Sequence, residues 1–268
     1  LIRHPGIDPV FLSIGPLQFR WYGLMYLLAF LTSYAVIRYV SRKREPFLSP
    51  DEVGDLVFFV AVGIVLGGRL GYVIFYNLPV YLAHPLKILA VWEGGMSFHG
   101  GLLGGIVGGY LFSRKKGIDP LLLADTAFLP APLGLMYGRI GNFINGELYG
   151  RVTDLPWGMV FPAGGEVPRH PSQLYEAVLE GPLLFLLLLV VHRSTRYRRG
   201  LIWAFIGGYG VARFLVEFVR EPDAQLGFVV GWLSMGQILS LPMIAIGVTL
   251  FVLQVRQNRS PVTGGSSS

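Results

Sequence analysis

The chain has 268 residues, of which 53% are hydrophobic and only 14% charged, and its mean hydropathy is +0.55. Soluble domains carry about 25% charged residues, so this composition cannot cover a water-facing surface and much of the chain must face lipid; disorder and coiled coil are excluded with it. There is no cysteine, which excludes disulfides, thiolate metal sites and a cysteine nucleophile of the chain's own.

A membrane-crossing helix needs about 20 largely apolar residues. Residues 1–20 lack the charged start, apolar core and small-residue end of a cleavable signal peptide. Seven spans are predicted near that length, over residues 22–37, 54–76, 99–112, 120–137, 174–191, 201–219 and 235–255, the third and fourth short or interrupted. Glycine and proline inside them are compatible with a membrane bundle, where neighbouring helices satisfy the freed backbone groups. Residues 139–173, rich in Gly, Pro, Asp, Trp and Asn, predict a small extracytoplasmic cap between spans four and five. The expected architecture is an all-α polytopic membrane protein with one transmembrane domain over 1–255 and a tail over 256–268.

Basic residues set the orientation. Arg38, Arg42, Lys43 and Arg44 follow the first span, Arg114, Lys115 and Lys116 the third, Arg193, Arg196, Arg198 and Arg199 the fifth, and Arg256 and Arg259 the seventh. The opposite side carries Arg3, Arg20, Lys87, Arg151, Arg169 and Arg220 over longer segments. The positive-inside rule then predicts an outside N-terminus and a cytoplasmic C-terminus. The net charge of +6 is accordingly topological, and no nucleic-acid partner is expected.

The densest polar run is Gly138-Arg139-Ile140-Gly141-Asn142-Phe143-Ile144-Asn145-Gly146-Glu147-Leu148-Tyr149-Gly150. Its arginine offers a rigid fork suited to phosphate and its amides can bond a headgroup; the alternative is a polar turn with Arg139 snorkelling to the interface. In Tyr209-Gly210-Val211-Ala212-Arg213-Phe214-Leu215-Val216-Glu217-Phe218-Val219-Arg220-Glu221-Pro222-Asp223, Arg213 and Glu217 share a helix face. They read either as a self-neutralising ion pair or as a functional arginine oriented by Glu217. In Trp92-Glu93-Gly94-Gly95-Met96-Ser97-Phe98-His99-Gly100-Gly101, continued by glycine pairs at 104/105 and 108/109, the glycines predict a ridge for close helix packing. Ser97 is a candidate helix cap, which places His99 in the first turn, open either to a proton-accepting role or to that of a simply hydrogen-bonded histidine. Tyr22 is open to a role as an interfacial anchor, and Arg69 and Asp125 to either structural ion pairs or a cavity wall. His4, His84, His170 and His192 fall in loops or at span ends, without the spacing of a metal site.

With Trp21-Tyr22-Gly23-Leu24-Met25-Tyr26 and His170-Pro171-Ser172-Gln173-Leu174-Tyr175-Glu176, these motifs resemble, in order, those of the bacterial prolipoprotein diacylglyceryl transferases. The likeness runs from about Asp8 to Val255. It implies a multi-pass protein of the bacterial cytoplasmic (inner) membrane that moves the sn-1,2-diacylglyceryl group of phosphatidylglycerol to the lipobox cysteine of a preprolipoprotein signal peptide, releasing glycerol 1-phosphate. It implies no metal or cofactor, because two guanidiniums can carry the phosphate charge. Within it, His99 is the candidate base and Arg139 and Arg213 are the candidate phosphate clamps. Asn142 and Glu147 would hold the headgroup, Tyr22 and Gly150 would shape the pocket, and Glu217 would orient Arg213. The principal alternative is a small secondary transporter using Arg213, Glu217, Asp125 and His99 as a relay.

Overall fold

The computed structural model describes residues 2–15, 17–90, 94–194, 197–221 and 228–259. Trp92, Glu93, Arg196, Pro222, Asp223 and the tail from residue 260 onward lie outside the described residues. The fold is mostly helical; the predicted spans fall largely on helix, but residues 128–130 interrupt the fourth and the helix of the sixth ends at Val216. The helices are α1 (Trp21–Ser41), α2 (Pro50–Tyr76), the short α3 (Leu78–Ala83), α4 (Phe98–Lys116), α5 (Pro120–Ala127), α6 (Ala131–Ile144), α7 (Ser172–Val178), α8 (Leu184–Arg193), α9 (Leu201–Val216) and α10 (Met235–Arg259). Among the described residues, four helical runs are long and apolar enough to cross a membrane: α1, α2, the run Ser172–Arg193 that joins α7 to α8, and α10. The pair α5 and α6 makes a fifth if taken as one broken span, and α9 is apolar but shorter.

The all-α expectation is amended by short strands. Parallel β1 (Ile2–Arg3) and β4 (Met159–Val160) pair, as do the antiparallel hairpins β2 (Val10–Ile14) with β3 (Leu17–Arg20) and β5 (Phe228–Val230) with β6 (Leu233–Ser234). Runs of two to five residues are too short to show a period-two pattern, which is why the sequence did not announce them. The polar segment begins within a helix: α6 continues through Arg139 and Asn142 to Ile144.

The chain forms two compact units, Tyr34–Ala127 and the remainder. In Tyr34–Ala127, α2 opens with a capping box in which the Glu52 N–H donates to Ser49 Oγ (3.2 Å) and the Ser49 N–H to Glu52 Oε2 (2.9 Å). Ser97 caps α4 as expected, accepting from the Gly100 N–H at 3.2 Å, and Gly117 at φ 66° ends it. The glycine ridge of α4 meets a matching column on α2: a Cβ on Gly104 would land on the Gly63 carbonyl, and one on Gly100 on the Gly67 carbonyl. Backbones this close leave no room for a methyl group. Gly104→Ala should therefore destabilise the protein by about 2 kcal/mol, although alanine is the better helix former; its thermal unfolding midpoint in detergent, against wild type, tests this.

Arg69, left open between an ion pair and a cavity wall, is held among the described residues by backbone carbonyls. Its side chain is 3% exposed and donates to the backbone carbonyls of Lys87, Ile88, Gly94 and Gly95, with the guanidinium over the Tyr81 ring. It ties down the connection between α2 and α4. Asp125 is buried on α5.

Candidate functional site: an arginine–carboxylate centre

In the other unit, three helices bring charged side chains together. On α6, Arg139 and Asn142 are three residues apart and share a face. From α7 onward, Gln173, Glu176 and Glu180 follow one another at helical spacing. Glu180 lies in a π-helical turn, Leu179–Leu183, where Gly181 leaves helical geometry and Pro182 follows. A Cβ on Gly181 would meet Met136 at 2.7 Å, so the turn allows close approach to α6. Such turns interrupt helices where a side chain must be re-aimed. On α9, Arg213 precedes its C-terminal Glu217, and Arg220 stands just beyond.

Glu176 is the hub. Its Oε2 lies 2.7 Å from Arg139 Nη1, while its Oε1 lies 3.0 Å from both Arg213 Nη1 and Arg220 Nη1. Arg139 also grips Glu180 through Nε (2.9 Å) and Nη2 (3.4 Å). Glu217 Oε1 pairs with Arg213 Nη2 and lies 3.7 Å from Arg220 Nε. Three cations thus meet three anions. The expected Arg213–Glu217 pair exists, but inside a larger network whose other acids, Glu176 and Glu180, the sequence reading did not select as site residues. Their signal was present: two acids on one face of an apolar helix are costly unless they are paired or used.

Exposure separates the two signs. The side chains of Glu176 and Glu180 are 0% exposed and that of Glu217 4%, whereas Arg139 and Arg213 each retain 16% and Arg220 11%. The carboxylates hold the guanidiniums from behind and are themselves sealed. Each arginine has five N–H donors, so donors remain for a phosphate or carboxylate oxygen arriving from the accessible side.

The polar run after Arg139 builds an adjacent wall. The Nδ2 groups of Asn142 (2.9 Å) and Asn145 (3.2 Å) both donate to Glu147 Oε1, and Gln173 Nε2 donates to the Glu147 carbonyl at 2.6 Å. Glu147 remains exposed, its carboxylate oriented by two amides. Tyr22 lies across Gly141, where a Cβ would come within 2.8 Å of its ring, and its ring centroid is 5.4 Å from that of Tyr26.

Gly150, the expected pocket-shaping residue, sits in a close backbone contact. It bridges to Arg220 in antiparallel fashion, donates its N–H to the His170 carbonyl at 2.8 Å, and would strike the Val219 carbonyl with any side chain. The next residue reinforces the contact: Arg151 donates to the carbonyls of Arg220 (2.8 Å) and Glu217 (3.0 Å). These bonds fix the segment that carries Glu217 and Arg220. His99 belongs to the other unit, where it is the exposed second residue of α4, after its Ser97 cap.

His170, outside the spans, gives a pH test. Burial, and then the charge of Arg151, lower its pKa from the ordinary 6.5. The folded chain therefore binds fewer protons than the unfolded chain, and stability falls as pH drops below about 6.5. The unfolding midpoint of wild type should decline over that window more steeply than that of His170→Gln; equal slopes would remove His170 from the acid response.

A helical chain of this apolarity with a buried arginine–carboxylate centre is a multi-pass membrane protein organised around guanidiniums. Residues 9–253 match the prolipoprotein diacylglyceryl transferase family. A phosphatidylglycerol–prolipoprotein diacylglyceryl transferase of Geobacter sulfurreducens is 58% identical over 260 residues, covering 97% of this chain and 100% of the relative. Namesakes from Methylococcus capsulatus and Rhodospirillum rubrum are each 51% identical, over 93% and 97% of this chain and 96% and 97% of their own lengths. The chain belongs to the prolipoprotein diacylglyceryl transferase family.

Proposed function

We propose that this protein transfers the sn-1,2-diacylglyceryl group of phosphatidylglycerol to the lipobox cysteine of a preprolipoprotein signal peptide. The observation that carries this reading is the set of partly accessible guanidiniums held by sealed carboxylates, in a chain with no thiol of its own. The incoming sulfur bonds to the glyceryl carbon as that carbon's bond to the phosphate oxygen breaks. The oxygen keeps the bonding electrons and departs with glycerol 1-phosphate, and the thiol proton passes to a base. Charge grows on the leaving phosphate, so preorganised donors at Arg139 and Arg213 act most strongly in the transition state. Asn142 and Glu147 hold the headgroup, Tyr22 and Gly150 shape the pocket, and Glu217 orients Arg213. His99 is the proposed base: its imidazole ring can take up the thiol proton and is exposed at the start of α4.

Purified protein, phosphatidylglycerol and a lipobox peptide should yield a peptide heavier by one diacylglyceryl group in a mass spectrum. An unchanged peptide, with solute uptake into proteoliposomes, would favour a transporter instead.

The proposal places seven spans in the bacterial cytoplasmic membrane, with the N-terminus and the cap over 139–173 outside and the C-terminal tail inside. The absence of native cysteine makes labelling clean. Arg42→Cys should react with an impermeant maleimide only from the cytoplasm and Glu166→Cys only from outside; the reverse pattern would invert the orientation.

A further inference from the structure

Glu217 is also held from the side of α10. At the start of α10, in Ser234-Met235-Gly236-Gln237, Ser234 Oγ donates to Glu217 Oε2 and accepts from the Gln237 N–H at 3.2 Å. The Ser234 N–H donates to Gln237 Oε1 at 3.0 Å. All three side chains are sealed, with Ser234 at 2%, Gln237 at 1% and Glu217 at 3% exposure. Gly236 leaves the space: a Cβ there would fall on the Glu217 carboxyl group. One oxygen of Glu217 therefore rests on the hydroxyl at the N-terminus of α10, where helix N–H groups favour negative charge. The other oxygen faces Arg213 and Arg220.

We propose that Ser234 and Gly236 are positioning residues for the transfer reaction, acting on Arg213 through Glu217; this rests on the transfer reading above. A carboxylate without this support would be a stronger and less fixed competitor for the Arg213 guanidinium. With its second oxygen satisfied by Ser234, Glu217 fixes the rotamer of Arg213 while leaving N–H donors for the phosphate. The effect belongs to the step in which leaving-group charge develops, so it appears in kcat more than in the KM for phosphatidylglycerol.

Three replacements of Ser234 separate this role from ordinary helix capping. Aspartate caps a helix as well as serine does, yet it cannot donate to Glu217 when ionised and sets a like charge against it. Ser234→Thr should stay within about threefold of wild-type kcat, Ser234→Ala should fall about tenfold and Ser234→Asp about 100-fold, with KM changing less than about threefold. Gly236→Ala should lower kcat about tenfold, although a helix-propensity argument alone predicts a gain in stability. An aspartate variant as active as the alanine variant, or more so, would overturn the proposal.

A second readout does not depend on turnover. Ser234→Asp should lower the thermal unfolding midpoint in the Glu217 protein and do so far less in a Glu217→Gln background; an equal drop in both would show that Ser234 acts on the helix alone. If wild type forms no diacylglyceryl peptide, the transfer reading fails, and this cycle still decides whether Ser234 supports Glu217.

Discussion

Arg139→Lys should lower diacylglyceryl transfer at least about 100-fold, nearly as far as Arg139→Ala. Lysine keeps the charge, but one ammonium cannot reproduce the side-on grip on Glu180 through Nε and Nη2 while Nη1 reaches Glu176. A residue that merely snorkelled to the interface would tolerate the exchange. Arg139→Ala carries a further cost, because it leaves Glu180 sealed from water without the guanidinium that faces it; breaking a buried pair from one side costs about 3 kcal/mol or more. Loss of activity in that variant alone would therefore not separate folding from chemistry. The double replacement Arg139→Met with Glu180→Leu removes both charges, which is often nearly neutral for stability. It should accumulate in membranes and unfold near the wild-type midpoint, yet form no diacylglyceryl peptide at rates within about 100-fold of wild type. Near-normal turnover by the Lys variant at equal membrane level would return Arg139 to an anchoring role.

The parts of this centre that were legible in the sequence are those encoded locally. Arg213 and Glu217 stand four apart on one helix, Ser97 precedes the helix it caps, and the glycine pairs of α4 repeat at a helical interval; periodicity exposes each. Glu176 stands out only as an acid on an apolar helix; its partners do not, because they are arginines 37 and 44 positions away. Glu180 and Ser234 escaped for the same reason. The partner of the glycine ridge, the column Gly63, Gly67 and Gly71, is likewise visible once α2 and α4 are seen face to face. The glycines and asparagine around Arg139, residues that end helices in water, put it outside the helix by sequence alone. Here Gly141 instead gives Tyr22 room to lie against α6, and packing outweighs propensity.

His99→Gln should separate binding from turnover. Glutamine keeps a hydrogen-bonding group on the same turn of α4 but cannot take a proton near neutral pH, so transfer should fall by about 100-fold or more while the protein still binds phosphatidylglycerol. Thermal stabilisation by the lipid in detergent would report that binding without requiring chemistry, since a ligand that binds only the folded state raises its midpoint. Ser97→Ala supplies the control for simple damage to α4. It removes the hydroxyl that accepts from Gly100 N–H and should cost about 1 kcal/mol of stability, yet it leaves the imidazole in the chain and should retain most of the turnover. If His99→Gln abolishes lipid stabilisation, His99 orients the lipid. If it keeps full turnover, proton removal belongs to another group, and a thiolate stabilised by Arg139 and Arg213 becomes the reacting species.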